Sequence, residues 1–282
     1  MASLKQQIRK AAALIREGKY DELSELWYYK KLRRMMPEID LYKKKTREHI
    51  LARAREVGCG SMKAYVHYFS RSAEEREYLR HNLTLSGSHF FRGDDWDYFI
   101  TACLSAFAGR EEPVRVWCAG CSTGEEVYSV LMGLMDYVPI ERIELLATDY
   151  NETLLETVRA GEYSVRCYHE TPERYRKYEQ LNEKATRFQM PPEICAAVRA
   201  ERLDLLTDEY PAGFDVILCR NVLKFFNRQQ IPLVQAKLAA SLVPGGFLFT
   251  ATDDQHNGLE LVADPPSMGL TQLDGRCIYR KG

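Results

Sequence analysis

The sequence predicts an α/β protein built on a doubly wound, largely parallel sheet and preceded by an all-helical N-terminal module. Three stretches carry that prediction. In residues 114–130 an apolar run (Val114, Val116, Trp117) breaks at Gly120, passes Ser122 and Thr123, and resumes as a helical pattern with Val127, Leu131, Leu134 and Met135 on one face. This reads as strand, tight turn and helix. A second apolar run, residues 143–149, ends about one β-α-β unit later in an acid, Asp149. A third, Phe214-Asp-Val-Ile-Leu-Cys219, has the near-continuous hydrophobicity of a strand buried on both faces. In such folds the turn after the first strand takes a nucleotide-like ligand, because its glycines let the backbone approach closely.

Taken in order, the chain opens with helical spacing at Leu4, Ile8, Ala11, Ala12 and Ile15, and again at Ile50, Ala54 and Val57 within residues 42–57. Around that second stripe lie Lys43, Lys44, Lys45, Arg47, Arg53 and Arg55, so its exposed face is expected to be basic. Residues 1–92 hold 20 Lys and Arg against 11 Asp and Glu, whereas residues 93–282 hold 19 against 29. The two parts therefore suit different partners, nucleic acid, a membrane or an acidic protein surface for the first. Helical stretches at 62–69 and 73–83 lead into Ser86-Gly-Ser88-His-Phe90-Phe91-Arg92, and another helix is expected over 96–107.

After Asp149 comes a helix over 154–160 closed by Gly161. Residues 163–197 are polar and aromatic with weak periodicity, an excursion from the sheet. It carries no glycine, which speaks against a β-subdomain shaped to pair with a peptide. Strand patterns resume at 198–205 and at 214–219, followed by a helix with Ile231, Val234, Leu238 and Leu242. Pro244-Gly-Gly246 turns the chain into a strand over 247–252, and residues 275–280 read as a last strand.

Composition narrows the class. With 282 residues, 45% of them hydrophobic, the chain can bury a sizeable core. No run of about 18 apolar residues occurs and the N-terminus lacks signal-peptide character, so a soluble cytoplasmic protein is expected. Eight cysteines without paired spacing read as reduced thiols. Cys118 and Cys121 form a C-x-x-C with no second pair or His cluster, so no metal site is expected.

The ligand follows from the turn. Its glycines are spaced G-x-x-x-G, not G-x-G-x-x-G, and the helix opens with Glu125 and Glu126, which repel a phosphate. The same carboxylates suit a cation, and S-adenosylmethionine carries a sulfonium and an ammonium but no phosphate. Asp149 stands where an acid takes both hydroxyls of an adenosine ribose. A simpler role for the two glutamates is to complement the helix dipole. Trp117 and Tyr128 are expected in the core.

Three blocks, Gly120-Cys-Ser-Thr-Gly-Glu-Glu126 with Tyr128-Ser129, Phe214-Asp…Cys219-Arg-Asn-Val222, and Phe90-Phe91-Arg92, occur in the order found in the chemoreceptor glutamate O-methyltransferases. From about Tyr42 onward the chain resembles this CheR family; residues 1–40 lie outside the resemblance. It implies a class I (Rossmann-like) S-adenosylmethionine-dependent methyltransferase domain over 93–282, with a small β-subdomain inserted at about 163–197. A receptor-facing helical domain would occupy 1–92. It also implies esterification of receptor glutamates, with S-adenosylhomocysteine as product; the chain is expected to act as a cytoplasmic monomer, with neither nucleic acid nor membrane insertion involved. Carried over position by position, the cofactor contacts are Ser86, Ser88, Arg92, Gly120, Glu126, Asp149, Asp204, Leu205, Cys219 and Arg220, with Arg92 as the catalytic candidate.

Two departures stand out. The family's tyrosine after Cys-Arg-Asn-Val is Phe225 here, and its Gly-His-Ser-Glu is Thr250-Ala-Thr-Asp253. They motivate a catalytically weakened cofactor-binding module as one rival reading. A small-molecule carboxyl methyltransferase is the other.

Overall fold

The computed structural model describes residues 20–36, 44–83, 88–168, 170–250 and 261–282. The chain divides into two units, Met1–Leu85 and Ser86–Gly282. The second unit therefore begins ahead of the Phe90-Phe91-Arg92 block, because both phenylalanines are buried in its core. Among the described residues no helix is long and apolar enough to cross a membrane.

The first unit contains helices α1 (Tyr20–Met35), α2 (Lys44–Glu56), α3 (Met62–Arg71) and α4 (Ala73–Leu83). Residues 42 and 43, where the second helix was expected to begin, lie outside the described residues. Leu32, Met36, Ile50, Ala54, Met62, Tyr65 and Phe69 form the core. Ser61 caps α3 by accepting the Ala64 N–H, and the Ser72 hydroxyl accepts the Glu75 N–H at the start of α4. Arg53 departs from the expected basic face. Its guanidinium donates to the buried Glu75 carboxylate at 2.9 Å and lies 3.7 Å from the centre of the Tyr78 ring. Tyr65 donates to the same carboxylate at 2.6 Å. A buried carboxylate demands a partner, and helical spacing alone does not show which cation supplies it.

The second unit is organised around a seven-stranded sheet. Its strands are β1 (Val114–Ala119), β2 (Ile143–Asp149), β6 (Val198–Arg202), β7 (Phe214–Leu218), β8 (Leu242–Phe249), β9 (Leu270–Gln272) and β10 (Ile278–Lys281). The order is β6-β2-β1-β7-β8-β10-β9, with β10 antiparallel to β8 and β9 antiparallel to β10. The remaining neighbours run parallel. The chain leaves β1 toward β2 and returns on its other side at β7, so the topological switch point lies between the carboxyl ends of β1 and β7.

Strand alternation divides the core into two layers. Val114, Val116 and Cys118 face one layer together with Val127, Leu131 and Phe249, while Trp117 and Ala119 face the other with Ile217, Leu238 and Tyr279. Trp117 and Tyr128 are fully buried. Their polar atoms are satisfied locally, the Trp117 indole by Thr148 at 2.9 Å and the Tyr128 hydroxyl by the Val158 carbonyl at 2.7 Å.

Several elements differ from the sequence reading in detail. The stretch 96–107 is helical but changes pitch, from α (Trp96–Tyr98) through a π turn (Phe99–Cys103) to a 3-10 turn (Leu104–Phe107). Thr101 and Ser105 hydroxyls donate to carbonyls four residues back, which competes with a regular ladder. Strand β6 stops at Arg202, because the Asp204 N–H donates to the Asp208 carboxylate instead of to a neighbouring strand. Pro244-Gly-Gly246 does not precede β8; it forms a register shift within that strand.

The excursion folds as an antiparallel sheet of β3 (Glu162–Ser164), β4 (Gln180–Leu181) and β5 (Arg187–Gln189), in the order β3-β5-β4. Its tight turn does without glycine. Ala185 takes the left-handed conformation at φ 48°, and the Asn182 side-chain carbonyl accepts the Thr186 and Arg187 N–H groups.

Candidate active site

The turn after β1 is built by backbone hydrogen bonds to β2. Gly120 and Cys121 both donate to the Thr148 carbonyl at 2.8 Å. Gly120 has φ 75°, and a Cβ there would meet the Val222 side chain at 2.6 Å. Only glycine fits. Ser122 (φ 53°) and Gly124 (φ 93°) continue the left-handed path into the helix α5 (Glu125–Leu134). Asp149, at the end of β2, locks the turn from outside: its carboxylate accepts the Ser122 N–H at 2.9 Å and the Asn151 N–H at 3.0 Å. Burial pushes its pKa up while those N–H groups pull it down.

The two glutamates that open α5 separate in role. Glu125 is buried, its carboxylate accepts the Thr123 hydroxyl at 2.6 Å, and burial raises its pKa. Glu126 instead forms an ion pair with Arg220, from the loop after β7, whose side chain has no exposed surface. Arg220 also donates to the Arg92 carbonyl at 2.6 Å and lies 4.3 Å from the Phe249 ring centre and 5.3 Å from that of Trp96. Burial pushes Glu126 up and Arg220 down, and their mutual attraction opposes both shifts. Ser88 joins the same turn by accepting the Glu126 N–H at 3.3 Å.

Most of the residues singled out in the sequence thus meet at the carboxyl edge of the sheet. Gly120, Glu126, Ser88, Arg220 and the Arg92 backbone form one cluster. Cys219, adjacent to Arg220, is buried and donates its N–H to Phe249 at 2.9 Å. On the other side Leu203 donates to the Asp149 carbonyl at 3.0 Å, which brings Asp204 and Leu205 beside the end of β2. Asp204 accepts the Leu206 N–H, and Leu205 is buried. Ser86 and the positions 251–253 lie outside the described residues. Cys118 and Cys121 are buried within the core, and burial raises both thiols.

Among the described residues, the buried polar atoms at this edge that lack a protein hydrogen-bond partner include the Ser122 hydroxyl, after β1, the Asn221 side-chain amide, after β7, and the Trp96 indole nitrogen. Asn221 is also held at φ 57°. Unpaired polar atoms and strained backbone at a switch point are what a polar ligand would compensate. An acid at the end of β2 and a second carboxylate at the start of α5 fit a ligand that carries hydroxyls and a cation, as S-adenosylmethionine does.

Residues 87–261 match the family described as CheR methyltransferase, SAM binding domain. The chain belongs to the CheR methyltransferase family. Its relatives include a chemotaxis protein methyltransferase of Listeria innocua, 36% identical over 197 residues that cover 68% of this chain and 71% of that one. The protein of the same name from Listeria monocytogenes is 36% identical over 194 residues, with the same coverage. Chemotaxis protein methyltransferase 1 of Pseudomonas aeruginosa is 29% identical over 182 residues, 61% of this chain and 64% of that one. The protein is therefore a CheR-type methyltransferase dependent on S-adenosylmethionine.

Two residues at this edge escaped the sequence reading: Asp95 and Arg276, an ion pair separated by most of the second unit. The signal for Arg276 was present. Asp274-Gly275, both at positive φ (47° and 69°), form the tight turn between β9 and β10, and Asp-Gly between apolar runs is a hairpin signature.

Proposed function

We propose that the protein transfers a methyl group from S-adenosylmethionine to glutamate side chains of a chemoreceptor-like protein in the cytoplasm. The observation that carries this reading is the pairing of Glu126 with a fully buried Arg220 at the switch point, next to Asp149. Bound there, the cofactor supplies an electrophilic methyl group on a sulfonium. Glu126 would face that positive charge and Asp149 would accept the ribose hydroxyls, with Ser88, Asp204, Leu205 and Cys219 as the further residues that would hold the cofactor. The acceptor is a carboxylate, ionised at neutral pH, so the protein needs no general base. Its task is orientation and exclusion of water. Arg92 orients a carboxylate by bidentate hydrogen bonds, and Trp96 and Phe249 keep the edge around Arg220 dry. Phe225, half-buried in the turn after Arg220, brings no hydroxyl, so orientation falls to the charged groups.

The receptor as substrate is supported by the names of the relatives, chemotaxis protein methyltransferases, and by the basic balance of the N-terminal unit, which suits an acidic partner. Incubation with methyl-labelled cofactor and purified receptor tests it. Label should appear on the receptor and leave as methanol in mild alkali, because carboxyl esters hydrolyse there. Label on small carboxylic acids alone, or on nothing, would overturn the reading.

A further inference from the structure

The Glu126–Arg220 pair has a second ion pair beside it, Asp95 with Arg276. Asp95 immediately precedes Trp96, whose ring lies 5.3 Å from the Arg220 guanidinium, and its negative charge favours the Arg220 cation along with that of Glu126, while the Arg92 cation opposes both. Arg220 therefore has two carboxylates within electrostatic reach. Glu126 touches it; Asp95 is held by Arg276 instead.

Arg276 is fixed in place from several sides. Its N–H closes the β9–β10 turn on the Leu273 carbonyl at 2.9 Å, and its own carbonyl accepts the Gln272 side-chain amide at 2.8 Å. Its guanidinium covers the Tyr98 ring at 4.6 Å, and the Tyr98 hydroxyl hydrogen-bonds to Asp274 of the same turn. The turn is thus clamped onto the segment that carries Asp95.

A buried guanidinium is drawn to whichever carboxylates lack another cation, since an uncompensated charge in that environment is costly. With Asp95 unheld, Arg220 would be shared between Asp95 and Glu126. We propose that Arg276 is a positioning residue for cofactor binding: by engaging Asp95 it leaves Arg220 to Glu126, and so fixes the carboxylate that receives the cofactor's cation. This rests on the cofactor role of Glu126 proposed above.

The test is calorimetric titration of S-adenosylmethionine into the full chain and three variants, with a melting curve for each. Arg276→Ala should weaken binding about tenfold, the size expected for coupled charges, while Arg276→Lys stays within about threefold of wild type. The double variant Asp95→Asn/Arg276→Ala should recover to within about threefold of wild type, because the competing carboxylate is gone. A double variant as weak as Arg276→Ala would show that Arg276 is only a tether for the hairpin and would overturn the proposal, as would wild-type affinity in Arg276→Ala. If the wild-type chain bound no S-adenosylmethionine, the cofactor role of Glu126 would fall, and this inference with it.

Discussion

The Arg220 guanidinium, with no exposed surface, sits against the Glu126 carboxylate, which is 15% exposed, and the two come from opposite sides of the switch point. The pair spans the boundary that the strand order creates between β1 and β7. It fixes a negative charge where the turn glycines bring the backbone close.

Arg53→Ala should destabilise the N-terminal unit by about 3 kcal/mol, the low end for removing one partner of a buried pair, because Glu75 loses its cation while remaining buried. Denaturant unfolding checks this. Arg55→Ala, on the exposed side of the same helix, should shift stability by less than about 0.5 kcal/mol.

Glu179, buried in the inserted subdomain and accepting the Thr171 hydroxyl at 2.6 Å, has its pKa pushed up by burial to about 7. The folded state then holds a proton that the unfolded chain releases nearer pH 4.5. The folded pKa is the raised one, so this stabilisation is fully present below the unfolded pKa and is lost as pH rises through about 7. The melting temperature of wild type should fall between pH 5 and pH 8 more steeply than that of Glu179→Gln. Parallel slopes would contradict the assignment.

Arg92→Ala should lower the methyl-transfer rate while leaving the melting temperature close to wild type, if its side chain positions a carboxylate. Comparison of initial rates and melting curves separates this from a structural ion pair, which would lower both. Equal rates in the two proteins would rule the role out.

Reversal of Arg47 and Arg55 to Glu should raise the apparent KM for receptor without changing cofactor affinity. Surface charges such as those of the exposed Arg55 and the half-buried Arg47 act over roughly a Debye length, about 8 Å at physiological salt, so added salt should mimic the effect in wild type. A reversed variant that methylates receptor as fast as wild type at low and high salt alike would show these charges to be only solvated surface.

Much of the sheet could be read from the chain because its strands are apolar runs interrupted by glycine or acid. Val114 to Gly120, Ile143 to Asp149 and Phe214 to Cys219 needed no knowledge of their neighbours. Pairs distant in sequence were a different matter. Glu126 was legible as a charge for a cation, but nothing in its surroundings showed that Arg220 would already hold it. Arg53 read as surface because a helical stripe does not reveal which charge turns inward. The change of pitch after Tyr98 depends on Thr101 and Ser105 bonding back along the chain, a choice that apolar spacing does not record. The β9–β10 hairpin was written in Asp274-Gly275 and was overlooked because its strands are only three and four residues long.

The most direct test of the account is calorimetric titration of S-adenosylmethionine into wild type, Asp149→Ala and Glu126→Gln, with circular dichroism to confirm that each variant is folded. Binding by wild type should weaken in Asp149→Ala by about 1–3 kcal/mol, the cost of leaving buried hydroxyls unpaired, and in Glu126→Gln through loss of the charge that faces the sulfonium. Folded variants that bind the cofactor as tightly as wild type would contradict the assignment of this edge as the cofactor site.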